Sequence, residues 1–253
     1  MRLNVYLQTA GIGSRREAER MVEQGRVSIN GEMALATTPV DDGDVVKLDG
    51  SVIAPATRSL PRLFLLHKPI DILVTNNDPQ GRPTIFEMPV LQPPLWGADK
   101  PRVMNVGRLD VNSEGLLVMS SDGPLAQTMM SPATALPRVY RVRCRGKLSP
   151  AERDKLAKGL VIDDMRYRGA EVVEETEHSG RSNTWYRVTL REGKNREIRK
   201  LFEYFGNVVN RLIRIQYGPF HLGELPAGEI KEVPANAVKR FMEELAQIKP
   251  GAL

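Results

Sequence analysis

The chain has 253 residues, 41% of them hydrophobic and 26% charged, with a net charge of +5. That length suits one large domain with a small one, or two of medium size. One cysteine, Cys144, excludes an internal disulfide framework and fits a reducing compartment, and no N-terminal apolar segment or apolar run near 18 residues is present. A soluble, cytoplasmic protein without a membrane partner is expected. The positive charge is concentrated. Residues 137–147 hold five basic residues and no acid, and residues 181–214 hold nine against three, whereas residues 1–60 are near neutral. Two such basic stretches point to a polyanionic partner.

The first sixty residues read as a compact module. Leu3, Leu7 and Ala10 have helical spacing, which Gly11 and Gly13 interrupt. Ser14 with Glu17 forms a capping box for a second helix, whose apolar face is Ala18, Met21 and Val22 and whose other side leaves Arg15, Arg16 and Arg20 free. Val27 and Ile29 alternate as a strand, Asn30-Gly31 signals a hairpin, and a further strand is expected at 45–48. This run resembles the small RNA-binding module first described in a ribosomal small-subunit protein and found in several RNA-modifying enzymes. Arg15, Arg16 and Arg26, at a helix start and a turn, are its candidate phosphate contacts. The domain plan is therefore a module over 1–54, a proline-containing linker over 55–62 and a second domain over 63–248.

The second domain begins with a strand at 63–66, followed by a Pro-rich, irregular stretch around Trp96, which would pack the loop down or stack on a base. A short apolar strand at 103–106 ends at Gly107, and the chain leaves it as Arg108-Leu109-Asp110. Here Asp110 either caps the following turn or serves as a reactive carboxylate on a loop. Another strand is expected at 116–119, then a helix capped by Asp122 with Pro124 in its first turn. Residues 138–147 alternate, so that Arg141, Arg143, Arg145 and Lys147 share one face and Tyr140, Val142 and Cys144 the other. Ser149 and Glu152 open a helix that Gly159 closes. Strands near 170–174 and 185–190, a helix over 195–205, a strand at Val208–Tyr217 and a helix at Ala235–Gln247 complete the chain. The irregular alternation makes the fold α+β, with a mixed and mainly antiparallel sheet.

The chemistry available is narrow. His67, His178 and His221 have no metal-ligand spacing, and neither a phosphate-binding loop nor a dinucleotide fingerprint is present, so no metal and no cofactor is expected. What remains is a carboxylate among cations on an RNA-binding chain.

Gly107-Arg108-Leu109-Asp110 followed by Ser113-Glu114-Gly115-Leu116-Leu117 resembles the catalytic motif of the rRNA pseudouridine synthases, specifically those bearing the same N-terminal module. Tyr140-Arg141-Val142, Glu192-Gly193-Lys194-Asn195-Arg196-Glu197-Ile198-Arg199-Lys200-Leu201 and Arg211-Leu212-Ile213-Arg214-Ile215 match in order. The resemblance implies isomerisation of one uridine in ribosomal RNA, most similar to the members acting on the large subunit. Asp110 would be the catalytic carboxylate, by attack at ribose carbon 1′ or by removal of the 2′ proton. Tyr140 would stack on the flipped uracil, with a plain core tyrosine as the competing reading. Arg199 would be the counter-ion of Asp110, with Arg196 as the alternative on the same helix side. Arg108, Lys194, Arg196 and Lys200 would contact RNA. A non-catalytic ribosome-assembly factor and a DNA-binding protein are the competing functions, and a monomer is favoured.

Overall fold

A computed structural model of the chain describes residues 1–13, 15–53, 60–92, 103–175 and 182–248. The Ser14 cap, most of the 55–62 linker, the Trp96 stretch, His178 and Arg181 lie outside the described residues. The chain divides into two compact units, residues 1–60 and 61–253.

In the first unit, α1 (Leu3–Thr9) and α2 (Arg15–Glu23) precede β1 (Val27–Ile29), β2 (Glu32–Met33), β3 (Val46–Leu48) and β4 (Ser51–Val52), which form a sheet in the order β2-β1-β3-β4. Leu3, Leu7, Ala18, Val22, Val27 and Val46 make its core. The β1–β2 hairpin turns at Asn30 and Gly31, both at positive φ (54° and 90°), as that residue pair favours. Arg15 and Arg16 are exposed. Arg26 is already engaged: its Nε donates to Asp49 at 2.9 Å.

The second unit is built on one mixed sheet. Its strands are β5 (Leu63–Lys68), β6 (Met104–Val106), β7 (Glu114–Ser120), β8 (Arg138–Arg145), β11 (Glu171–Glu174), β12 (Asn183–Leu190), β13 (Val208–Tyr217), β14 (Phe220–His221) and β15 (Ile230–Glu232). The path runs β11-β12-β8-β13-β7-β5-β15, with β14 on β13 and β6 on β7. Pairing is antiparallel apart from β13 with β7, as expected of a mainly antiparallel α+β domain. A separate hairpin joins β9 (Leu160–Ile162) and β10 (Met165–Tyr167). The helices are α3 (Gly123–Met130), α4 (Pro150–Lys158), α5 (Glu197–Glu203) and α6 (Ala235–Gln247).

Strand alternation sorts the core onto the sheet's two faces. Leu117, Met119, Tyr140, Val142 and Cys144 join α4 and α5 on one side, whereas Leu116 and Val118 join α3 and α6 on the other. Gly115 lies where the parallel pair meets. A Cβ there would stand 2.3 Å from the Arg214 carbonyl oxygen, so only glycine lets β13 approach β7.

Two expectations need correction. Part of the Pro-rich stretch is ordered as 3-10 turns at Ile85–Glu87 and Pro89–Leu91, because Ile85, Met88 and Leu91 are apolar and enter the core. Helix α5 begins at Glu197 rather than 195, since Arg196 adopts the left-handed conformation (φ 51°) and cannot belong to the helix.

Candidate active site

The loop after β6 shows how a strand end presents a carboxylate. Gly107 turns the chain at φ 71°, the Leu109 side chain anchors in the core, and Arg108 and Asp110 on either side of it reach toward solvent. The following turn is closed by the main chain, with Ser113 N–H donating to the Asp110 carbonyl at 3.0 Å. The Asp110 side chain is therefore not needed as a cap. Its closest ionic neighbour among the described residues is Arg196, 4.0 Å away.

Beneath the loop lies a buried cation that nothing in the sequence pattern singled out. Lys68, at the end of β5, is fully buried, and its Nζ donates to the carbonyls of Pro69 (2.6 Å) and Ser113 (2.9 Å), with Val111 at 3.4 Å. Burial pulls its ammonium down to about 8, while Asp71, Asp110 and Glu114 support the charge. The one signal in the sequence is a lysine at the end of an apolar strand, followed at once by a proline.

Arg199 holds the same loop from the other side. It donates to the carbonyls of Asn112 (2.9 Å) and Val209 (2.8 Å), tying the Asp110 loop to β13. Burial lowers its pKa, Arg196 adds to that effect and Asp110 opposes it, so the carboxylate lies within electrostatic reach of both arginines. The ion-pair contact itself goes to Arg196. That residue is not on the helix side of Arg199 but in the turn before α5.

The loop carrying Arg196 is fastened by acids. Glu197 accepts from the Lys194 N–H at 2.9 Å, and Glu192 accepts from the Arg168 N–H at 2.6 Å. Burial, reinforced by the neighbouring Glu192, raises the Glu197 carboxyl to about 8. The Lys194 ammonium donates to Glu192 and, at 2.6 Å, to the Arg166 carbonyl, and lies over the Tyr167 ring. It braces the loop against the β9–β10 hairpin, and those partners occupy the charge expected to face RNA. Lys200 is half-buried on α5.

A cavity of about 760 Å³ lies between these loops. Arg108, Asp110, Tyr140, Lys194, Arg196, Arg138 and Arg214 are among its lining residues, whereas Arg199 sits behind the wall. Tyr140, 8% exposed, lies beside Arg214 in register, with its ring both in the core and at the cavity. Arg138 and Arg214 are buried against the Tyr217 ring, at 5.0 and 5.2 Å. Sequence patterning does not mark either as part of the cavity, because both occur in strands that read as alternating. The site thus brings one half-exposed carboxylate, an aromatic wall and several guanidinium groups into one hollow.

Residues 62–204 match the family described as RNA pseudouridylate synthase. The chain belongs to that family. Residues 1–46 match the S4 domain. A relative from Rickettsia felis, named an uncharacterized RNA pseudouridine synthase, is 41% identical over 233 residues, covering 92% of this chain and 96% of its own. A Shigella flexneri protein named ribosomal large subunit pseudouridine synthase B is 38% identical over 262 residues, covering 98% of this chain and 84% of its own. A solved pseudouridylate synthase structure superimposes with a TM-score of 0.63 at 23% identity, covering 94% of this chain and 98% of that one, a likeness of fold. Membership of the synthases favours catalysis over a non-catalytic scaffold. Among the described residues, no helix is long and apolar enough to cross a membrane.

Proposed function

We propose that this synthase converts one uridine of large-subunit ribosomal RNA to pseudouridine in the cytoplasm, with Asp110 as the catalytic carboxylate. The observation that carries this reading is the placement of the Asp110 side chain: its turn closes without it, and it lines a cavity together with cations and Tyr140. The reaction breaks the bond from ribose carbon 1′ to uracil N1 and makes one from carbon 1′ to C5. The C5 proton is lost and N1 gains one, so atoms balance without a cofactor. Because no water is added, one carboxylate suffices where a glycosidase needs two. Asp110 either attacks carbon 1′ or takes the 2′ proton.

Within this reading Tyr140 stacks on the extruded base. Arg196 faces Asp110 as its counter-charge, and Arg199 fixes the loop on which Asp110 rides. Extruding the nucleotide costs a few kcal/mol, which Arg108 and the S4-type module, through Arg15 and Arg16, offset by phosphate contact. Mapping pseudouridine in total rRNA from cells with and without the protein tests the proposal. One large-subunit site should vanish. Identical maps would overturn the activity, and a lost small-subunit site would overturn the choice of subunit.

A further inference from the structure

Away from the cavity, the helices among the described residues leave half of one sheet face uncovered. The core that α3 and α6 form on that face draws its sheet residues from β5, β6, β7, β14 and the far end of β13, and includes none from β8, β11 or β12. Helices α4 and α5 pack on the opposite face. What the bare half displays follows from register. Arg141, Arg143 and Arg145 alternate outward along β8. Opposite them on β12 stand Arg187, Trp185 and Asn183, and on β13 stand Ile213, Arg211 and Val208.

Five arginines and a tryptophan therefore share one patch of three strands, spaced about 4.8 Å apart. Among the described residues, two carboxylates answer them. Glu175 receives Arg141 and Arg187, and Glu114 receives Arg211. Arg143 and Arg145 have no carboxylate partner among the described residues, and the side chains of Arg187 and Arg211 are 58% and 52% exposed. The Arg141 guanidinium lies 4.8 Å over the Trp185 ring.

We propose that this face docks a second segment of the substrate RNA, distinct from the segment that carries the target uridine into the cavity. The inference rests on the synthase reading above. Charge identifies the occupant, since among the described residues the patch holds five cations against two anions and all five cations are arginine. Guanidinium binds phosphate in a planar fork and stacks on bases, whereas a surface serving only solubility needs neither property. An aromatic ring among cations on an open antiparallel sheet is also how sheet surfaces hold single-stranded RNA. Tyr140 and Arg141 are sequence neighbours that face opposite sides of the sheet, so one short hairpin in the cavity cannot also cover the arginines. The second segment must come from elsewhere in a long RNA.

The test compares wild type with Arg143→Gln/Arg145→Gln, two residues outside the cavity and outside the ion pairs. One substrate is a full-length large-subunit rRNA transcript, the other a synthetic stem–loop around the mapped uridine. The expected result is a loss of about tenfold in kcat/KM on the transcript and none on the stem–loop. The slope of log affinity against log salt on the transcript should become shallower by about 1.4, because two fewer phosphates of a single strand are neutralised. Equal kinetics on both substrates, or equal losses on both, would overturn the inference. A loss appearing only with ribosomal particles and not with naked RNA would give the face to a protein and also overturn it. Should the double variant unfold, Arg145→Gln alone, fully on the surface, carries the same comparison. Wild type inactive on both RNAs would instead refute the synthase reading itself.

Discussion

The two loops that meet at the cavity are fastened in opposite ways. The Asp110 loop is held through its carbonyls by cations, Lys68 below and Arg199 beside it. The Arg196 loop is held by its own carboxyl groups: Glu197 accepts from the Lys194 N–H, and Glu192 accepts from the Arg168 N–H next to the adjoining hairpin. Lys68 and Arg199 carry the charge that attracts Asp110, whereas Glu197 fastens its loop as a hydrogen-bond acceptor that keeps its proton. Neither loop uses its functional side chain as its own fastening, which leaves Asp110 and Arg196 turned to the cavity. Buried charge here sets position, and the exposed partner is spared for the substrate.

The comparison breaks most visibly at Lys68. Lys68→Met keeps the volume but strips donors from two close carbonyls, and should cost about 2–4 kcal/mol by chemical denaturation and most of the turnover. An unchanged midpoint would show that the loop does not depend on the lysine. Arg199→Gln should follow, with about 1–2 kcal/mol lost and kcat reduced more than KM is raised, because two main-chain anchors go at once. Arg196→Gln separates presentation from fastening. It should lower kcat/KM by roughly tenfold while stability stays within about 0.5 kcal/mol, as for an exposed pair. Equal stability losses for Arg196→Gln and Arg199→Gln would erase the distinction.

The smallest effect belongs to the acids and appears in pH. With its carboxyl raised to about 8, Glu197 holds its proton in the folded chain where the unfolded chain has released it. The stabilisation from the neutral form is complete below the ordinary value of about 4.5 and is lost as pH rises toward about 8. Lys68, lowered to about 8, has its effect from there up to its ordinary value near 10.5, and with the opposite sign, so the two windows do not overlap. Glu197→Gln should flatten stability between pH 5 and 8 with little change at the lower end. A slope identical to wild type, followed by thermal melting across that range, would remove Glu197 from the fastening.

What the sequence disclosed was what local rules encode. The Asn30-Gly31 hairpin, the Asp122 cap that accepts from Leu125, the Ser149–Glu152 capping box and the Val208–Tyr217 strand all follow from near neighbours. Gly107 and Asp110 were legible for the same reason. Lys68 was not, and the choice between Arg199 and Arg196 as partner of Asp110 stayed open, because each depends on groups far along the chain: Arg199 meets Asn112, and Arg196, named as the alternative, meets Asp110. The left-handed turn at Arg196 gave no warning either, since arginine has no preference for that conformation. The β9–β10 hairpin carries only a weak local signal, Asp163-Asp164, both at positive φ.

Asp110 itself carries the central claim. Purified wild type and Asp110→Asn, matched by thermal melting, would be incubated with large-subunit rRNA from cells lacking the protein, and pseudouridine mapped by reverse transcription after carbodiimide treatment. Wild type should convert one uridine, and Asp110→Asn should bind the same RNA with similar affinity yet convert it at least about a thousandfold more slowly. Conversion by Asp110→Asn at the wild-type rate would contradict the assignment outright.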